Sequence, residues 1–130
     1  MKLPAKLGQI REAAFYGTGL KTLDVPKNVS FVGPYAFKNC AALAAVSLPE
    51  GMDYIGESAF YNCTALTELT IPASVTAVEG YAFSGCDALT DIYITDPNAW
   101  CKVDFAEDSS PMEYPNAVMH ILDKNGTLDL

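Results

Sequence analysis

From residue 10 onward the apolar positions of the chain fall into columns. Cutting before each aliphatic residue that leads into an Ala-Phe pair gives IREAAFYGTGLKTLDVPKNVSF (10–31), VGPYAFKNCAALAAVSLPEGMDY (32–54), IGESAFYNCTALTELTIPASVTA (55–77) and VEGYAFSGCDALTDIYITDPNAW (78–100). The period is 23, with one residue missing from the first segment. Phe15, Phe37, Phe60 and Phe83 share one column, and Leu20, Leu43, Leu66 and Leu89 share another. Leu23, Val46, Leu69 and Ile92 form a third, and Val25, Leu48, Ile71 and Ile94 a fourth. Pro26, Pro49 and Pro72 follow, then Val29, Met52 and Val75. A fixed period of this length describes one coil of a solenoid, in which a single coil cannot bury its apolar face but stacked coils share a continuous core.

Within each coil the pattern L-x-x-V-x-L ends in apolar–polar alternation, which is strand spacing. It turns Val46 and Leu48 inward and Ala45 and Ser47 outward. Strands of successive coils then pair in parallel about 4.8 Å apart. The proline after each strand has no N–H and a fixed φ, so it ends the pairing and begins a turn. VTAV (75–78) alternates as well and predicts a second short strand. Gly33 and Gly56 are expected to permit a tight corner. Each Ala-Phe pair is expected to drop a small residue and a ring into the interior.

These motifs resemble the BspA-type leucine-rich-repeat family, whose pattern is close to I-G-x-x-A-F-x-x-C-x-x-L-x-x-I-x-I-P-x-x-V-x-x. IGESAFYNCTALTELTIPASVTA matches it at every constrained position, and the likeness runs from residue 3 to about 95. The first segment departs from it, with GTG in place of the cysteine-bearing loop. The resemblance implies a β-rich α/β solenoid: a right-handed leucine-rich-repeat superhelix of parallel strands with about four coils. It also implies a bacterial cell-surface or secreted protein engaged in adhesion and protein binding rather than catalysis.

Both ends modify this frame. LPAKLGQI (3–10) aligns with IPASVTAV (71–78), so residues 1–9 read as the remnant of a preceding repeat. Four repeats follow, at 10–31, 32–54, 55–77 and 78–95, and the last third then leaves the period. An open first coil exposes core and strand edge, so the chain is expected to be a piece of a longer array, with Met1 added or fortuitous. End-to-end self-association through that coil is a further expectation. Residues 96–130 are expected to cap the other end, with Trp100, Phe105 and Tyr114 covering the last coil. Asp96 and Pro97 predict a short helix. FAEDSSPMEYP (105–115) reads as an acidic loop, and AVMHILDKNGTLDL as a β-hairpin around Asn125-Gly126. The segment from IYITDPNAWCKVDF to that turn also looks like one that follows a repeat block in this family, with Leu128-Asp129-Leu130 as the stub of the next block.

Length and composition fit one domain: 130 residues, half of them apolar. No apolar run approaches the ~18 residues of a membrane span, and MKLPAKLGQI has no apolar signal-peptide region. The net charge of -8 is uneven. Residues 1–65 hold six Lys/Arg against five Asp/Glu, and residues 66–130 hold two against eleven. Such acidity argues against nucleic acid as a partner.

Stacking places Cys40, Cys63 and Cys86 in one interior column roughly 5 Å apart. Three equivalent thiols cannot all pair, and there is no close Cys pair with zinc-ligand spacing. They read as core-filling residues beside the phenylalanine ladder. Cys101 is expected to be buried in the cap. No metal, cofactor or catalytic constellation is assigned. The single histidine, His120, with Cys101 would make only a distant hydrolase dyad. Asp104, Glu107, Asp108 and Glu113 lack the EF-hand pattern for calcium. The candidate partner-binding face is the outward set of strand positions: Thr22, Asp24, Ala45, Ser47, Glu68, Thr70, Asp91 and Tyr93. Tyr16 and Tyr61, and Tyr35 and Tyr81, make two columns on the loop side, either covering the turns or offering a second lane. The expected partner is a protein, of the host extracellular or surface kind. A passive spacer that projects another domain is the alternative.

Overall fold

A computed structural model describes residues 6–106 and 117–122. Two parallel sheets of five strands run the length of a solenoid. One contains β2 (Thr22–Asp24), β4 (Ala45–Ser47), β6 (Glu68–Ile71), β8 (Asp91–Ile94) and β10 (Val118–Ile121). The other, made of two-residue strands, contains β1 (Gln9–Ile10), β3 (Phe31–Val32), β5 (Tyr54–Ile55), β7 (Ala77–Val78) and β9 (Asp104–Phe105). Each strand pairs with its counterpart one coil away, Leu23 with Val46 and Val46 with Leu69. The repeat column of the sequence is therefore a physical column of the structure.

The coils enclose a single apolar core. Phe37, Phe60 and Phe83 are buried within it, and Phe15 is half-buried at its first coil. The four rings stack in series, with centroids 5.2, 5.2 and 5.4 Å apart and planes within 6° of parallel. Leu20 and Val25 of the first coil are also only half-buried, whereas Leu43, Leu66, Leu89, Leu48, Ile71 and Ile94 are buried. Among the described residues, the first coil has a neighbour on one side only, which is why its column members stay partly open.

The corner glycines act differently from expectation. Gly33 and Gly56 have no positive φ; their role is space. A Cβ on Gly33 would stand 2.7 Å from the amide nitrogen of Glu12, and one on Gly56 would stand 2.6 Å from the nitrogen of Pro34. Both neighbours are main chain of the preceding coil, so only hydrogen lets the coils close. The left-handed conformations lie elsewhere: apart from Gly51, those among the described residues fall in two columns, Ala13, Tyr35, Ser58 and Tyr81, and Gly17, Asn39, Asn62 and Gly85. The second column carries the residue types that tolerate this conformation best.

The described strands of the last third continue the solenoid. Asp104 pairs with Ala77, and Val118 with Asp91, each 27 residues on instead of 23. Both sheets slip by the same four residues because the extra length sits in one place, the turn that contains α1 (Pro97–Trp100). Asp96 accepts a hydrogen bond from the Asn98 amide at 2.9 Å, and Pro97 opens the helix. Trp100 packs at 58° to Phe105, ring centroids 5.1 Å apart, and both lie against the core. The arm read from sequence as the start of a hairpin is thus β10, a parallel rung on β8. Tyr114 and the Asn125-Gly126 turn fall outside the described residues, as do Met1–Ala5 of the N-terminal remnant and Leu128–Leu130 of the stub.

Candidate partner face

The larger sheet presents two straight columns of outward side chains. Thr22, Ala45, Glu68 and Asp91 form one, and Asp24, Ser47, Thr70 and Tyr93 the other. All eight residues singled out in the sequence lie here, exposed or half-exposed, because the residues between them (Leu23, Val46, Leu69 and Ile92) are buried. Spacing along the face is set by the strand separation of about 4.8 Å. Thr67 Oγ1 clips its edge by donating to the Ala44 carbonyl at 3.2 Å, and Thr90 Oγ1 lies 3.3 Å from the Thr67 carbonyl.

The fifth rung adds two residues that sequence reasoning missed. Val118 extends the first column and His120 the second. Val118 is 55% exposed, the most open of the large apolar side chains among the described residues. His120 Nε2 lies 2.8 Å from Asp91 Oδ1, and its ring stacks on Tyr93 at 4.7 Å. Thr90 Oγ1 donates to the other oxygen, Asp91 Oδ2, at 2.8 Å. The His120 bond first, then the Thr90 bond, hold the Asp91 carboxyl below the usual carboxylate range. Burial, followed by the charges of Asp91 and Glu68, pushes the Tyr93 phenol up. The only advance signal was the alternation V-M-H-I, whose partner strand was hidden by the four-residue insertion.

The thiol column is buried, and none of its members is in a disulfide. Each thiol donates to the carbonyl of the phenylalanine one coil back: Cys40 to Phe15 at 3.1 Å, Cys63 to Phe37 at 3.2 Å and Cys86 to Phe60 at 3.2 Å. The cysteines thus tie coils together as well as fill space. Burial pushes the Cys40 thiol up, and the neighbouring Cys86 thiol together with burial pushes Cys63 up strongly. Cys101 is exposed at the C-cap of α1, contrary to the buried position expected, because the one-turn helix directs Trp100 rather than its cap toward the core. The partners of His120 are Asp91 and Tyr93, and no contact joins it to Cys101 among the described residues. Asp104 stands on β9; Glu107, Asp108 and Glu113 lie outside the described residues. Among the described residues no three His, Cys, Asp or Glu side chains gather as a metal site.

On the loop side, Lys38 Nζ sits 5.3 Å from the ring centroid of Tyr35 and 5.0 Å from that of Tyr61. Asn39 Nδ2 donates to the Tyr16 hydroxyl at 3.4 Å. The Lys38–Tyr61 and Asn39–Tyr16 contacts link adjacent coils from outside, while Tyr16 and Tyr81 keep exposed rings.

The BspA type leucine-rich repeat region matches residues 1–104 in six copies. The chain belongs to this family. The match counts two more copies than the four full repeats of the sequence frame and reaches into the insertion segment. Among solved structures, a leucine-rich repeat protein from Bacteroides ovatus is similar at 25% identity with a TM-score of 0.69, over 88% of this chain and 28% of its own. A leucine-rich cell surface protein from Faecalibacterium prausnitzii is similar at 26% identity and a TM-score of 0.60, over 85% and 35%. The leucine-rich repeat protein of T. pallidum, at 20% identity and a TM-score of 0.54, shares the fold. The BspA-type chain therefore spans about a third or less of the first two proteins. No curated protein matches it. The family is a repeat module, typically non-catalytic.

Proposed function

We propose that this BspA-type region is a non-catalytic protein-binding module of a bacterial cell-surface protein, with the outward face of the larger sheet as its contact surface. The carrying observation is the pair of straight side-chain columns, which presents polar, acidic and aromatic groups at fixed spacing over four coils. Solenoids bind partners through extended faces of this kind, and tyrosine is favoured where such faces bury contacts. The surface location is supported by the similar protein from Faecalibacterium prausnitzii, which is described as a cell surface protein. The partner class is a host extracellular or surface protein, and the function is adhesion.

The test immobilises the longest expressible array and measures capture of purified host extracellular proteins by surface plasmon resonance. Asp24→Asn and Glu68→Gln together are expected to weaken capture about tenfold, while the same number of changes at Glu12 and Glu57 on the loop side leave it intact. Equal effects from both faces, or none from either, would refute the strand-face reading and favour a passive spacer.

A further inference from the structure

The outward column of the smaller sheet reads Gln9, Phe31, Tyr54, Ala77 and Asp104, one residue per rung. Its middle is aromatic. The Phe31 and Tyr54 rings stack 5.0 Å apart with planes 4° from parallel. That separation is one coil spacing, so the flat faces point along the solenoid. On the next rung the stack stops at a methyl group. Ala77 is half-buried and shorter than a ring, so the second face of Tyr54 borders a slot one rung wide. Asp104 bounds the slot on the far rung, two strand separations or about 10 Å from Tyr54. At the other end of the pair, Phe31 meets Gln9, a long side chain, with Arg11 two residues on.

The slot is acidic. The Tyr54 hydroxyl donates to the Glu79 carboxylate, and burial first, then the Glu79 charge, pushes that phenol up. Residues 53–56, 76–79 and 103–106 make the three rungs. They carry Asp53, Glu79 and Asp104 and no lysine or arginine. Asp53 is engaged by Thr76, whose Oγ1 donates to Oδ1 at 2.6 Å. Among the described residues no lysine or arginine forms an ion pair with any of the three carboxylates, Lys102 included.

We propose that the step from Tyr54 to Ala77 is a receptor for the guanidinium of an arginine on a partner protein. The shape calls for a flat group, because only a flat group continues the stack at one coil spacing. The charge calls for a cation, since an uncharged apolar group seated here strips water from Glu79 and Asp104 without replacing it. Guanidinium meets both demands. It lies flat on an aromatic face, and its edge N–H groups donate to carboxylates. Glu79, already bonded to the rim of the Tyr54 ring, accepts from that edge, and Asp104 adds negative charge from the next rung. A lysine ammonium satisfies the charge but has no plane to stack. The site belongs to the other sheet from the partner face and does not rest on that reading.

The test adds the tripeptide acetyl-Gly-Arg-Gly-amide, or its lysine counterpart at equal concentration, to isotope-labelled protein and follows NMR shifts. The arginine peptide is expected to move the Ala77 amide and methyl and the Tyr54 ring, with half-saturation at about 5–50 mM, the strength of one exposed cation–π and carboxylate contact. Nuclear Overhauser contacts are expected between its δ-protons and the Tyr54 ring. The lysine peptide is expected to bind about threefold more weakly or worse. Ala77→Phe fills the slot with a third ring and is expected to abolish the shifts. Tyr54→Leu removes the stacking face without crowding the coils and is expected to weaken binding about threefold or more. The Leu69 and Ile92 amides, on the other sheet, report that each variant is folded. Shifts that do not saturate, equal affinity for the two peptides, or undiminished binding in either folded variant would overturn the receptor. No partner protein enters this experiment, so its failure leaves the capture assay to judge the partner face on its own.

Discussion

Phe60→Ala measures how much the ladder holds. Phe60 is wholly buried, and its ring stacks on Phe37 at 5.2 Å and on Phe83 at 5.4 Å. Truncation removes the transfer free energy of a buried ring and leaves a cavity walled by two other rings, which together cost about 3–5 kcal/mol. The walls cannot collapse into it, because the strand ladders on both sheets fix the coil spacing, so the upper half of that range applies, about 4 kcal/mol. Phe15 is half-buried and stacks on one side only, at 5.2 Å on Phe37, so its truncation is worth about half as much, ~2 kcal/mol. With a urea m-value of about 2 kcal/mol/M, the two midpoints fall by ~2 M and ~1 M. Far-UV circular dichroism follows all coils, and Trp100, the only tryptophan, follows the C-terminal side. Phe60→Leu, which refills most of the space, is expected to recover more than half of the loss. Equal costs at Phe60 and Phe15, or a cost below about 1.5 kcal/mol at Phe60, would show that the rings are not the axis of the core.

Two further outcomes follow from the same architecture. With a thiol reagent in native buffer, Cys101 is expected to react within minutes while Cys40, Cys63 and Cys86 react only in denaturant; rapid modification of all four would contradict the buried column. Gly56→Ala forces a Cβ into main-chain atoms of the preceding coil and is expected to cost about 1–3 kcal/mol, whereas Gly8→Ala, with nothing within 4 Å, leaves the thermal midpoint nearly unchanged; similar midpoints for the two variants would refute the close approach.

The coils were legible because a solenoid repeats its physics. One coil's apolar spacing is the next coil's, so Phe37, Phe60 and Phe83 announced each other, and register followed from period. The alternation around Val46 and Leu69 likewise told inward from outward. What stayed hidden depended on distance rather than pattern. The thiol bonds to carbonyls of the preceding coil need the offset between turns, which periodicity alone does not supply. The corner glycines looked like conformational requirements and are spatial ones, since main-chain proximity between coils leaves no mark in one sequence. The left-handed column of Tyr35, Ser58 and Tyr81 carries no residue-type signal at all.

The same four-residue slip explains the site that was missed. In a strict frame, the rung after Asp91 begins 23 residues later, at Tyr114; in the structure it begins at Val118. A search at the repeat period therefore ends one coil early and leaves His120 without a neighbour. Once the extra turn at Pro97–Trp100 is removed from the count, Asp104 and Val118 return to the spacing that Ala77 and Asp91 have, 14 residues apart in both coils. The insertion lengthens one turn while both ladders keep their register, because strand pairing constrains each rung and the connecting turn does not. His120 reaches Asp91 for that reason alone: the sheet continues through a coil that has lost its consensus, carrying a new side chain onto an old column.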